Sequence, residues 1–278
     1  KNYQRFNPAD VESATKNVTM LLLHFENNSG ENDTFYRDFS RTSNNGSCNA
    51  ASSLCPYHNS TAVLNESAYF DEVAQDEIKV GDNNTLDLFL NNSFTISLWF
   101  RGLQAGLIQP DMSIFTKGTP TDPITGAGAV LSYSLWVDVN RKLSFKLQND
   151  SSGTSTKELL SSSALNGAIF YHAVITYDGS ILRLYLNSRE NNSVAYTGGV
   201  NTNDAGTPDS RALYVGGCPT GGACPGIKFS GNIDELLILN ISLTQEKVRE
   251  LYESSRLDLL YRDFTTATNI TAEYNYTS

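Results

Sequence analysis

The sequence predicts an all-β chain folded as a two-sheet antiparallel sandwich with one short C-terminal helix. Three observations carry this. Segments of period two, such as SFTISLWFRG and KLSFKLQN, recur between turn clusters rich in Gly and Asn. One segment alone, LTQEKVRELYESS, shows a convincing helical stripe. At 278 residues the chain is long enough for a core that needs neither metal nor disulfide.

Residues 18–25, VTMLLLHF, are apolar on both parities, which suits a strand covered on both faces, so something must pack on its outer side. Loop-like sequence follows to about residue 60, rich in Asn, Ser and Gly. Strands resume with SAYF at 67–70 and EIKV at 77–80. Across 93–102, Phe94, Ile96, Leu98 and Phe100 point inward and Thr95 and Ser97 outward. MSIFTKG, AVLSYSLWVDV and KLSFKLQN repeat that alternation. Residues 168–187 read as a hairpin turning at Asp178-Gly179, because Gly tolerates the positive φ of a tight turn. ALYVGG and GNIDELLILN add further strands. The helix is expected over 244–255, with Thr244 as its cap and Val248, Leu251 and Tyr252 as its apolar stripe.

Charge excludes some partners. A net charge of -10 and a pI near 4.8, without a Lys/Arg cluster, disfavour nucleic acid and anionic membrane surfaces. The longest apolar runs are four residues, as in Met20 to Leu23, far short of the twenty or so that span a bilayer. The chain opens on Lys1 rather than Met, as a chain that has lost a leader would.

Asparagine supplies the address. The chain has 27 Asn and 54 Ser plus Thr, and shuffled order predicts about 5 Asn-x-Ser/Thr triplets. There are 13, at Asn17, Asn27, Asn32, Asn45, Asn59, Asn65, Asn83, Asn91, Asn149, Asn191, Asn240, Asn269 and Asn275. Turn preferences of Asn, Ser and Thr also raise such a count without any sugar. Sites that flank strands as well as turns favour N-linked glycans. The four cysteines form two close pairs, and local loop closure predicts Cys48–Cys55 and Cys218–Cys224. Neither pair has the C-x2-C spacing usual in a zinc site. Small disulfide loops in an acidic, Asn-rich chain place it outside the cytoplasm, as an extracellular or cell-surface protein.

The ordered motifs LLLHFENNSG, AYFDEVAQDEIKVGDN, LDLFLNNSFTISLWFRG, FYHAVITYDGSILRLYLN and SGNIDELLILNISLTQEKVRELYESS resemble the laminin-G-like, concanavalin A-type jelly roll. The resemblance covers residues 18–255, leaving an extension over 1–17 and another over 256–278. It implies a fold that hosts lectins, adhesion modules, glycan-cleaving enzymes and passive spacers. It also implies a calcium ion between the first long strand and the last, where this sequence has Glu26 and Asp234.

Catalysis is not indicated. The Glu-x-Asp-x-x-Glu pattern of a laminarinase-like glycosidase is absent, as are H-E-x-x-H and G-x-S-x-G. Asp71, Glu72, Asp76 and Glu77 lie around a turn and read as a solvated loop. His24 and His172 fall on strands as packing imidazoles, and the Gly pairs around the second cysteine pair make a turn, not a phosphate cradle. Trp99 and Trp136 share the parity of outward-facing residues, so each either packs under a second layer or offers a platform to sugar.

At the C-terminus Ile270, Ala272, Tyr274 and Tyr276 alternate with polar residues, as in a strand seeking a partner edge. Tyr3 and Phe6 suit similar docking. The expected function is a non-enzymatic structural subunit that self-associates, or joins other cell-surface proteins, through this strand in a fibre or coat. The alternative is a carbohydrate-binding or adhesion module, and a glycoside hydrolase stands a distant third.

Overall fold

The computed structural model describes residues 18–27, 30–49, 54–88, 93–102, 108, 110–119, 130–148, 156–198, 212–217 and 227–266. The first part supplies short strands: β1 (Thr19–Leu23), β2 (Phe35–Tyr36), β3 (Gly46–Ser47), β4 (Tyr57–Asn59), β5 (Ser67–Phe70) and β6 (Ile78–Val80). The centre supplies longer ones: β7 (Phe94–Gly102), β8 (Met112–Thr119), β9 (Val130–Val137), β10 (Leu143–Gln148), β11 (Thr156–Leu160), β12 (Tyr171–Tyr177), β13 (Ile181–Leu186) and β14 (Arg189–Ala195). Then come β15 (Leu213–Val215), β16 (Ile227–Lys228), β17 (Gly231–Leu239) and helix α1 (Gln245–Thr266).

Eight strands form one sheet in the order β14-β13-β12-β7-β17-β5-β4, with β1 also pairing β17. Nine form the other in the order β11-β10-β9-β8-β15-β6-β3-β2, with β16 beside β8 in the one parallel pairing among the described residues. The two pack as a jelly-roll sandwich. Phe94, Ile96, Leu98 and Phe100 of β7 are buried against Tyr133, Leu135 and Val137 of β9 and Phe145 and Leu147 of β10, the inward set that the period of two predicted. Each such aromatic or aliphatic side chain contributes about 1.5–3 kcal/mol by leaving water.

A second apolar layer explains why β1 is apolar on both parities. Leu21 and Leu23 join the core, whereas Leu22 joins Val174, Tyr185, Leu237 and Leu239 on the outer face of the eight-stranded sheet. Leu243, Val248 and Leu251, from α1 and its lead-in, cover that face. The Thr95 hydroxyl sets the entry angle, donating to the Ile241 carbonyl at 2.8 Å and accepting from the Leu243 amide at 2.9 Å. Thr244 caps the helix, its hydroxyl accepting from the Lys247 amide at 3.4 Å. The other side of β1 is held by a backbone bond from the Phe39 amide to the Leu22 carbonyl at 2.9 Å and by side chains. Asp38 accepts from the Leu22 amide at 2.9 Å, and Thr42 and Asn44 both donate to the Met20 carbonyl. Gly231, at φ +143°, lies so close to the Arg101 carbonyl that no Cβ fits there.

The structure corrects several expectations. The stretch read as loop to residue 60 contains β2, β3 and β4. The helix expected to end at residue 255 runs on to Thr266, so the first part of the C-terminal extension is helical. Asp76 and Glu77 are buried rather than solvated. Asp76 accepts from the Asp71 amide at 2.8 Å, and Glu77 takes the Lys228 ammonium at 2.8 Å. Burial raises the carboxyl pKa of Asp76. Cys48 and Cys55 are bonded as expected. Cys218, Cys224 and the assembly residues Ile270, Ala272, Tyr274 and Tyr276 lie outside the described residues.

The Cys48–Cys55 bond closes a loop with a sequence separation of 7. Replacing both cysteines by Ser is expected to cost about 2 kcal/mol from loop-closure entropy. Urea unfolding with and without the substitutions measures it.

Candidate functional site

The outer face of the nine-stranded sheet is polar, and strand register shows how it is built. Trp136 on β9 faces Ser113 on β8 and Ser144 on β10. The next row runs Lys79, Tyr214, Thr116, Ser134, Lys146 and Glu158, across β6, β15, β8, β9, β10 and β11. All have the parity opposite to the core residues Tyr133, Leu135 and Val137. Around the indole the side chains are buried: Trp136 is 8 % exposed, Ser144 is fully buried, and Ser113, Thr116 and Ser134 are buried too. Lys146 sets its ammonium 4.4 Å from the centre of the Trp136 ring, a cation–π contact. Ser144 donates to Glu158 at 2.6 Å, and Ser113 donates to the Gly217 carbonyl at 3.1 Å. The Trp136 indole N–H is buried and has no acceptor among the described residues.

The outer face of the other sheet holds a small cleft under α1, about 340 Å³ with its open mouth included, lined by Ser97, Trp99, His172 and Glu235 among others. Trp99 is 3 % exposed. Its indole donates to the Ser255 hydroxyl at 3.0 Å, and its ring stacks on Tyr252 at 5.4 Å. The second layer thus covers Trp99, and it offers no platform to sugar. Ser97 and His172 Nε2 lie 2.9 Å apart, a nucleophile-and-base pairing in outline. Among the described residues His172 Nδ1 has no partner, and no acid orients the ring. Burial also lowers the His172 pKa from 6.5 to about 3. The imidazole is a packing group held neutral.

The other candidates serve the frame. His24 Nδ1 lies 2.8 Å from Glu235, whose backbone sits at φ 51° in the irregularity of β17. His58 Nδ1 lies 2.6 Å from Asp33. Asp234 accepts from the Val63 and Leu64 amides at 2.8 and 3.1 Å, and Glu26 accepts from Asn65 at 2.8 Å. The two acids proposed for calcium therefore hold the same short segment, 63–65, through N–H donors. Among the described residues no three or more His, Cys, Asp or Glu side chains gather as a metal site.

Of the Asn-x-Ser/Thr positions, Asn27, Asn32, Asn45, Asn65 and Asn83 are exposed, and Asn59, Asn191 and Asn240 are half-buried. Asn17, Asn91, Asn149, Asn269 and Asn275 lie outside the described residues. Asn32 and Asn83 each accept, through Oδ1, from the amide and hydroxyl of the Thr two residues on. These triplets therefore also fold turns, the backbone role that Asn performs without sugar.

A family profile described as the Concanavalin A-like lectin/glucanases superfamily matches residues 72–249. The chain belongs to this superfamily. No curated protein matches it. Among solved structures, the binding domain of Paraclostridial Mosquitocidal Protein 1 superposes with a TM-score of 0.59 at 15% identity, over 85% of this chain and 52% of that one. A structure of botulinum neurotoxin type C, whose cell entry depends on interaction with two ganglioside molecules, gives 0.56 at 16%, over 86% and 51%. This superfamily member spans about half the length of those toxin chains. Domain 4 of AbnA, a GH43 extracellular arabinanase from Geobacillus stearothermophilus in complex with arabinotriose, gives 0.54 at 18%, over 84% and 98%. At these identities the likeness is one of fold.

Two outcomes check the α1 face. Trp99→Ala is expected to cost about 3–5 kcal/mol of stability, read from urea unfolding. Between pH 6.5 and about 3 the unfolded chain protonates an imidazole that the folded one keeps neutral. Stability therefore falls with decreasing pH across that window, by up to about 1.4 kcal/mol per unit from this group. His172→Gln is expected to remove that one-proton slope, whatever its effect at pH 7.

Proposed function

We propose that the chain is a secreted, N-glycosylated and non-enzymatic recognition module whose partner is a neutral glycan, taken on the outer face of the nine-stranded sheet. The observation that carries this reading is the buried Trp136 N–H without an acceptor among the described residues, set among hydroxyl-bearing neighbours. Such a donor left unmet costs about 1–3 kcal/mol, a cost that a sugar hydroxyl relieves. The indole N–H and the neighbouring hydroxyls of Ser113, Thr116 and Ser134 are the kinds of polar group that pair with sugar hydroxyls. The net charge of -10 suits a neutral partner better than a phosphorylated one. The arabinotriose of the arabinanase domain lends this support by analogy of fold. The Cys48–Cys55 bond and the excess of glycosylation triplets support an extracellular place.

The sheet ends β14, β4, β11 and β2 favour a second reading. In it copies join in a fibre or coat when the C-terminal segment bearing Ile270, Ala272, Tyr274 and Tyr276 adds to one of those edges. The glycan reading needs no metal, and the expected outcome for Glu26 and Asp234 is the same melting temperature in calcium and in chelator.

Affinity electrophoresis against neutral polysaccharides tests the proposal. Trp136→Phe keeps a ring and loses the N–H, and about tenfold weaker binding is expected. Failure of the native protein to bind any neutral glycan overturns the reading. Polymers that disappear on deleting residues 267–278 support the second reading instead.

A further inference from the structure

Beyond Trp99, the outer face of the eight-stranded sheet carries an aromatic patch on its edge. Tyr57 on β4 faces Tyr69 on β5, which faces Asn232 on β17, which faces Arg101 on β7. The two tyrosine rings lie 4.8 Å apart, and Tyr57 is 49 % exposed, a large aromatic surface on an edge strand. Side chains alternate along a strand, so Asn59 shares the face of Tyr57. It stands about 7 Å further along β4 and opposite Ser67.

Asn59 opens the triplet Asn59-Ser60-Thr61. Its Oδ1 accepts from Asn232 Nδ2 at 2.9 Å and from the Thr61 amide at 3.0 Å, which fixes the plane of the amide. Its Nδ2, the atom to which a glycan joins, makes no hydrogen bond among the described residues. The geometry points to Asn59 as a glycosylated position whose first pyranose packs on Tyr57 and Tyr69 and covers the open edge of β4.

A pyranose has an apolar C–H face, and exposed aromatic rings gain by burying it. The covalent link holds the sugar beside the rings at high effective concentration, so even a weak contact is populated. The linkage requires an activated donor of the oligosaccharyl-pyrophosphate lipid class. Nδ2 bonds the anomeric carbon, the bond from that carbon to the phosphate oxygen breaks, the lipid pyrophosphate leaves with the electron pair, and the amide gives up one proton.

The inference rests on the secreted, glycosylated reading above, and the test separates the two. The full chain is made in a eukaryotic secretory host, and glycopeptide mass spectrometry reads each triplet. Melting is then compared for the native protein, Thr61→Ala, Tyr57→Ala and the double variant. Thr61→Ala removes the triplet and keeps both bonds to Asn59 Oδ1. Asn59 is expected to be occupied, each single change to lower the melting temperature by about 2 °C, and the double change to lower it no further. Enzymatic trimming of the glycans from the folded native protein is expected to abolish the difference between it and Thr61→Ala. A bare Asn59 beside occupied triplets, or additive shifts, overturns the inference. Bare asparagines at every triplet overturn the secreted reading and this inference with it.

Discussion

Strand β17 changes partner along its length, pairing with β5 through residues 231–233 and with β1 through 236–239, while β7 runs along its other side. The irregularity between Asp234 and Leu237 allows this, because an extra residue bends the strand and re-aims its side chains. Glu235, at φ 51°, occupies a conformation that costs a non-glycine residue free energy unless its surroundings hold it. They do. Glu235 meets His24, and Asp234 takes two amides of the 63–65 segment. Three parts of the chain remote in sequence are tied at one point, and the two halves of the eight-stranded sheet depend on it.

The two sheets then use their outer faces differently. One is covered by α1 through Leu22, Leu237, Val248 and the Trp99–Tyr252 stack. The polar groups there, Ser97, His172 and Ser255, bond one another or the indole, so the face works as a second core. The other face keeps Ser, Thr and Lys around Trp136, a composition that a structural layer alone does not require.

Much of this was legible from period alone. The inward set of β7, the Asp178-Gly179 hairpin and the capped start of α1 each depend on neighbours within a few residues. The misses depend on distant ones. Glu77 reads as solvated until Lys228 arrives at 2.8 Å. Trp99 is ambiguous until a helix more than a hundred residues later lies over it. Strands β2 and β3 are two residues each and carry no measurable period. β14, RENNSVA, is mostly polar, with Val194 only partly buried against the core, because it is an edge that packs on few neighbours. Asp38, which helps hold the side of β1 away from β17, left a faint signal in the alternating polar residues of DFSRTSN. On the candidate face, the parity of Trp136 with Ser132 and Ser134 was visible, but the partners Lys146 and Glu158 needed the register of three strands.

The ends of the sheets have a practical implication. Asn59 lies on β4 and Asn191 on β14, and Asn32 bridges to Phe35 at the start of β2. Where these asparagines bear sugar, bulky hydrated chains stand on margins that otherwise template strand addition by another molecule. A bacterial host would make the same polypeptide with those margins naked, so recovery of dispersed material becomes a property of the cell that manufactures it as much as of the sequence.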